Sequence, residues 1–247
     1  MSPDPYPLPF LDSARLADLA VRHADAYQAA KPFPHVVLDD FLPASSVDQL
    51  ISEFPGPEEI DWQRFENPRE KKLASKSFED LGPFTRMQLA ELNGASFLVF
   101  LERLTGIGGL MPDPYFWGGG LHQLPVGGML EVHADFNWHD HLRLHRRLNV
   151  LIYLNPDWPD SYGGHLELWS RDMSRCEQRV LPIANRCVIF TTTDQSYHGN
   201  PEPVTCPQDR TRKSIALYYY TREQPPGAEP IEHSTLFQRR PAPDAQG

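Results

Sequence analysis

The sequence predicts a mainly β protein with an α-helical layer on its N-terminal side, and two changes of texture predict it. After Met111 the chain turns into short β-rich runs, GGGLHQLPVGGMLEVHADF, RRLNVLIYLN, GGHLELWS, CEQRVLPI, NRCVIFTT and SIALYYYT, punctuated by Gly, Pro, Asn and Asp. That rhythm is the one expected of an antiparallel sandwich or barrel. Before Met111, apolar residues recur instead at helical spacing. Proline is abundant, 25 residues, and falls mainly between the periodic runs, which favours many short elements joined by loops.

The elements follow in order. Residues 1–10 are proline-rich and expected to be extended. Asp12 or Ser13 is placed to cap a helix running to about Ala30, with Leu16, Leu19, Ala20 and His23 at helical spacing. FPHVVLDDFL (33–42) reads as a strand and SSVDQLISEF (45–54) as a capped helix, while residues 55–84 read as polar and irregular. A second long helix is expected from about Thr85 to Leu104, ended by Gly106. The tail from Gln224 onward is Pro-rich and polar, expected to be partly disordered. The chain thus divides into an N-terminal support region (1–110), a β core (111–222) and a tail (223–247).

Composition narrows the function. The 247 residues suffice to bury a sizeable core without staples. No apolar run approaches the ~20 residues of a membrane-spanning helix, and the start MSPDPYPLPF has no basic, apolar secretion signal. Three cysteines, Cys176, Cys187 and Cys206, without CxxC spacing exclude a cysteine-rich zinc site and suit a reducing, cytoplasmic compartment. Net charge is −10, which disfavours nucleic acid as a partner, although HLRLHRR (141–147) forms a local basic run.

The His-x-Asp spacing occurs twice, at His23/Asp25 and His133/Asp135. Residues two apart point to nearly opposite sides of a helix but share one face of a strand, so only His133 and Asp135 can chelate together. Iron(II) in oxygenases commonly takes two imidazoles and a carboxylate on one face, leaving positions open. His198 is the best second imidazole: it follows the apolar run NRCVIFTT and precedes Gly199, at a strand end. Fourteen residues later, Arg212 opens the run SIALYYYT, with Ser214 two residues on and on the same face. A guanidinium grips a carboxylate bidentately, so this pair suits the distal end of a dicarboxylic cosubstrate.

In this order, VGGMLEVHADF, RRLNVLIYLN, YGGHLELW, HGNPEPV and RTRKSIALYYY resemble the prolyl 4-hydroxylase-like 2-oxoglutarate/iron(II) oxygenases over roughly residues 115–222. The resemblance implies a double-stranded β-helix, a jelly-roll or cupin-like barrel of two antiparallel sheets. It implies His133, Asp135 and His198 as iron ligands, with Arg212, accompanied by Ser214, on the cosubstrate's distal carboxylate. Asn149 is a candidate for the same cavity. Fe(II), 2-oxoglutarate and O2 would be the cofactors, and hydroxylation of an unactivated C–H bond with release of succinate and CO2 the reaction. Asp135 argues against halogenation, which needs that position vacated. Relatives often carry a cosubstrate tyrosine where this chain has Leu124; His122, Gln123 or Tyr115 could substitute.

Two other readings compete. A zinc hydrolase would draw on His139, His141 and His145 beside His133 and Asp135. A non-catalytic barrel would use the fold for binding or sensing. For the oxygenase, the expected substrate is a small molecule or is amino-acid-derived, with no membrane or nucleic-acid partner. Trp117 and Trp138 could wall that substrate or simply fill the barrel mouth.

Overall fold

The computed structural model describes residues 11–225 and 232–241. The expectation for residues 1–10, and that for the tail at 226–231 and 242–247, lie outside the described residues. Helix α1 spans Ser13–Ala29, and Asp12 caps it by accepting from the amides of Ala14 and Arg15. Its buried stripe is Leu16, Leu19, Ala20 and Tyr27. Strand β1 (His35–Leu38) and helix α2 (Ala44–Glu53) follow, α2 without a side-chain cap.

Two expectations need correction here. Residues 55–84 are not irregular, for they contain a hairpin of β2 (Trp62–Asn67) and β3 (Glu70–Ser75). Asn67 accepts from the amide of Arg69 and so makes the tight turn that the Asn-Pro step encodes. The long helix is two helices, α3 (Pro83–Leu92) and α4 (Ala95–Thr105). The break falls at Asn93-Gly94, where the Asn93 side chain donates through Nδ2 to the Asp113 carbonyl. Gly106 ends α4 in the left-handed conformation, as expected.

The β core comprises β4 (Met111–Pro112), β5 (Gly120–Leu124), β6 (Met129–Ala134), β7 (Trp138–His139) and β8 (Leu144–Tyr153). It continues with β9 (Leu166–Trp169), β10 (Cys176–Val180), β11 (Cys187–Thr191), β12 (His198–Asn200) and β13 (Arg212–Thr221), while β14 (Leu236–Phe237) lies in the tail. All pairing is antiparallel, in the order β1-β11-β8-β13-β5-β3-β6-β12-β9-β10. The sheet curls on itself into a nearly closed barrel, so β8, β13 and β5 face β6, β12 and β9 across one cavity.

Strand period two sorts the side chains. On β8, Leu148, Val150 and Ile152 point outward into a core shared with the helices, and on β13 Ile215, Leu217 and Tyr219 do the same. The alternate positions, Asn149 and Leu151 on β8 and Arg212, Ser214, Ala216 and Tyr218 on β13, face inward. The helical layer therefore backs one sheet and leaves the barrel interior to the site.

Candidate active site

His133 on β6 and His198 on β12 are direct ladder partners, with ring centroids 4.5 Å apart. Asp135, just past the end of β6, lies on the same face. Its Oδ1 is 3.5 Å from His133 Nε2 and its Oδ2 3.3 Å from His198 Nε2. One ligating atom from each residue lies within 4.8 Å of the others, and all three residues are buried. Both imidazoles are oriented by their far nitrogens: Nδ1 of His133 bonds the Glu131 carbonyl and Nδ1 of His198 the Ser196 carbonyl, each at 2.8 Å. With Nδ1–H donating there, each Nε2 lone pair is free for a metal. Gly199 makes the β6–β12 approach possible, because a Cβ at that position would lie 2.8–2.9 Å from the Leu130 and Glu131 carbonyls.

Charge follows from these neighbours. Burial opposes ionisation of Asp135, but Arg146 and the two imidazoles outweigh it and hold the carboxyl well below the usual range. Burial pushes His198 down to about 4, against the pull of Asp135, so its ring is neutral and able to ligate.

Arg146 is a residue of the cavity that sequence reasoning missed. The basic run at 141–147 suggested a surface patch, yet Arg146 is only 1% exposed. Its guanidinium lies 3.5 Å from the Tyr218 ring centroid and 4.4 Å from that of Phe136, and Nη2 sits 3.1 Å from Asp135 Oδ2. Asn149 completes this clamp: its Nδ2 donates to Asp135 Oδ2 at 2.7 Å while its Oδ1 accepts from Arg146 Nε at 3.1 Å. Asn149 thus lines the cavity, and its side chain is committed to the carboxylate of Asp135.

Arg212, 4% exposed, lies on the inward face of β13. Nε donates to the Gly164 carbonyl at 2.7 Å and Nη2 to the Tyr153 hydroxyl at 3.3 Å. Gly164 allows the approach: its φ is +71°, and a Cβ there would lie 2.9 Å from Arg212 Cδ. No acidic side chain pairs with Arg212 among the described residues, and burial lowers its pKa. A buried guanidinium without an anion is costly, and an anion in the cavity would offset that cost. Ser214 is buried on the same inward face, opposite His122 on β5 and Tyr153 on β8.

The residues considered beside Leu124 separate clearly. His122 lines the cavity with its Nε2 unpartnered, and burial lowers its pKa to about 3. Gln123 turns away to the Pro55 carbonyl and Thr211, and Tyr115 is 61% exposed against His141. Tyr153, which sequence reading passed over, stands beside Arg212. The other histidines have separate work: His139 Nε2 meets Asp113 at 3.3 Å, and His145 packs on Trp138. Trp117 and Trp138 line an outer vestibule of about 420 Å³. Among the described residues, His133, Asp135 and His198 form the metal-capable group.

Residues 119–220 match the sequence model of the 2OG-Fe(II) oxygenase superfamily. The chain carries a 2OG-Fe(II) oxygenase domain. Its cofactors are those of that superfamily, Fe(II) and 2-oxoglutarate with O2, and it is a 2-oxoglutarate-dependent dioxygenase. Solved structures share the oxygenase's fold at low identity. A prolyl hydroxylase from Trichoplax adhaerens, in complex with a peptide of the hypoxia inducible factor oxygen degradation domain, aligns at TM-score 0.61 and 17% identity over 84% of this chain and 91% of its own. A Pseudomonas putida prolyl-4-hydroxylase aligns at 0.55 and 18%, over 85% and 99%. HygX from Streptomyces hygroscopicus, with nickel, 2-oxoglutarate and hygromycin B bound, aligns at 0.50 and 13%, over 81% and 93%. The first of these is thus bound to a peptide and the last to a small molecule. No described helix of the oxygenase is long and apolar enough to cross a membrane.

Proposed function

We propose that His133, Asp135 and His198 hold Fe(II), that Arg212 receives the distal carboxylate of 2-oxoglutarate, and that the enzyme hydroxylates a small-molecule or amino-acid-derived substrate. The observation that carries this reading is a buried, acid-free guanidinium lining the same cavity as two imidazoles and a carboxylate. The donor set fits the group, because two imidazoles and one carboxylate suit iron(II) and leave positions open. When bound, Fe(II) and 2-oxoglutarate supply the oxidising power: 2-oxoglutarate, O2 and a C–H bond become succinate, CO2 and a C–OH group.

The chain's own residues bind and orient. Arg146 and Asn149 converge on Asp135 Oδ2, which leaves Oδ1 as the freer ligand atom. Arg212 presents its guanidinium with Tyr153 and Ser214 alongside, a pocket complementary to one carboxylate. His122, kept neutral by burial, offers a free ring nitrogen to the same guest. Leu130, Leu151 and Leu166 add apolar lining to the same cavity, which Gln63, Glu70 and Lys72 also border.

Nothing in the site favours a zinc hydrolase, since His139, His141 and His145 have partners away from the triad. A scaffold without chemistry would leave Arg212 a buried cost without return. Three free cysteines support a cytoplasmic setting, and net charge −10 a partner other than nucleic acid.

The test is succinate formation by anaerobically iron-loaded protein after addition of 2-oxoglutarate and O2. The account expects slow release even without substrate, abolished in His133→Ala. Failure of the wild type to bind iron and 2-oxoglutarate together would sink it.

A further inference from the structure

The tail was expected to be partly disordered, yet residues 232–241 run across the mouth of the site. Strand β14 adds to β6 at its functional end, pairing Phe237 with His133 and Leu236 with Ala134. The Gln238 amide continues the ladder to the Val132 carbonyl at 2.7 Å. Both flanks are tied down. On one side His233 donates its amide to Asn137 Oδ1 at 2.9 Å and sets its ring 2.8 Å from Asp194. On the other, Arg240 pairs with Glu131 and Glu202.

Between these ties sits Phe237, its ring centroid 5.8 Å from that of the candidate ligand His133 and 5.2 Å from the Arg69 guanidinium. Phe237 lines two spaces at once: the inner cavity of about 260 Å³ that holds the triad, and an outer groove of about 820 Å³. Thr235 in the same way borders the inner cavity and the Trp117–Trp138 vestibule. The segment is therefore the partition between the site and the surrounding surface. Pockets that enclose drug-sized ligands run roughly 300–1,000 Å³. Here the inner cavity is smaller, and a cosubstrate must share it.

We infer that residues 232–238 form the substrate-side wall of the active site and that Phe237 determines specificity, confining the substrate to a compact molecule and keeping an extended peptide off the β6 edge. This rests on the oxygenase reading of the same cavity. It also explains why an aromatic ring on a two-residue strand is laid against a metal-ligand strand. The apolar ring closes the cavity, while backbone hydrogen bonds hold it independently of side-chain identity.

The experiment uses Mn(II)-loaded full-length wild type, Phe237→Ala and a chain ended after Gln224. Binding of 2-oxoglutarate is measured first by calorimetry and should agree among the three within about threefold. No binding by wild type would count against the oxygenase reading itself. Displacement is then measured with N-oxalylglycine, a 2-oxoglutarate mimic, and with its derivative bearing a benzyl group on the glycine carbon. Wild type should bind the benzyl compound at least tenfold more weakly than the parent. In both variants the gap should close to threefold or less. An unchanged gap in the variants, or no gap in wild type, overturns the proposal. So does succinate release by iron-loaded wild type that is stimulated by a proline-rich decapeptide.

Discussion

The two faces of the β8–β13 ladder are one residue apart in sequence and opposite in chemistry. Outward, Leu148, Val150, Ile152, Ile215 and Leu217 pack on the helical layer, and even the Tyr219 hydroxyl is satisfied, donating to the Leu92 carbonyl. Inward, Asn149, Arg212 and Ser214 are equally buried around the cavity with Tyr218 half-buried beside them, yet Arg212 has no acidic partner among the described residues. The outer face has its interactions complete, and the inner face has some still to make. Stability and function are thus assigned to alternate positions of the same strands, and the pleat keeps them apart.

Substitutions on the two faces should part company. The largest loss of stability is expected from Ile152→Ala, at ~2–5 kcal/mol for a truncated core residue, read as a lower melting temperature. Its folded fraction should keep wild-type affinity for 2-oxoglutarate. Arg212→Met should behave in reverse, with the melting temperature of the ligand-free protein not lowered and cosubstrate affinity reduced about 100-fold. That factor corresponds to the ~1.5–3 kcal/mol of hydrogen bonds to a charged group. A drop in stability in Arg212→Met as large as in Ile152→Ala would erase the distinction.

A smaller effect is expected at Asn149. Residues that orient a metal ligand typically contribute 10–100-fold in affinity, so Asn149→Leu should weaken Mn(II) binding by roughly that factor. Its 2-oxoglutarate affinity at saturating metal should change little. A rise in the 2-oxoglutarate requirement, with metal affinity intact, would instead make Asn149 a cosubstrate contact. Smallest is Tyr153→Phe, which removes one neutral hydroxyl beside Arg212. It should cost about 0.5–1.5 kcal/mol in cosubstrate binding, several-fold by calorimetry.

How much of this was legible in the sequence follows the same division. The grouping of His133, Asp135 and His198 was legible because the first two share a strand face and His198 follows an apolar run at a strand end; that Gly199 permits the approach of His198 to His133 is visible only in the fold. Arg212 and Ser214 were readable from the same period of two. Arg146 was not, since a basic run looks solvated until the Tyr218 and Phe136 rings and Asp135 are seen to enclose it. Tyr153 was hidden inside RRLNVLIYLN, where an aromatic residue reads as core. The β2–β3 hairpin was hidden by its polarity: β3 closes the barrel through backbone pairing with β5 and β6, and only isolated apolar residues such as Trp62 and Leu73 are buried. The same holds for β14, held by strand pairing and by polar ties at its ends.

The most direct test of the central claim compares two 2-keto acids on the Mn(II)-loaded protein. Pyruvate has the chelating keto acid of 2-oxoglutarate but lacks the distal carboxylate. The account predicts that wild type binds 2-oxoglutarate about 100-fold more tightly than pyruvate, the worth of a charged hydrogen-bonded pair, and that Arg212→Met loses this preference. Equal affinity of wild type for the two acids, or a preference that survives in Arg212→Met, would contradict it.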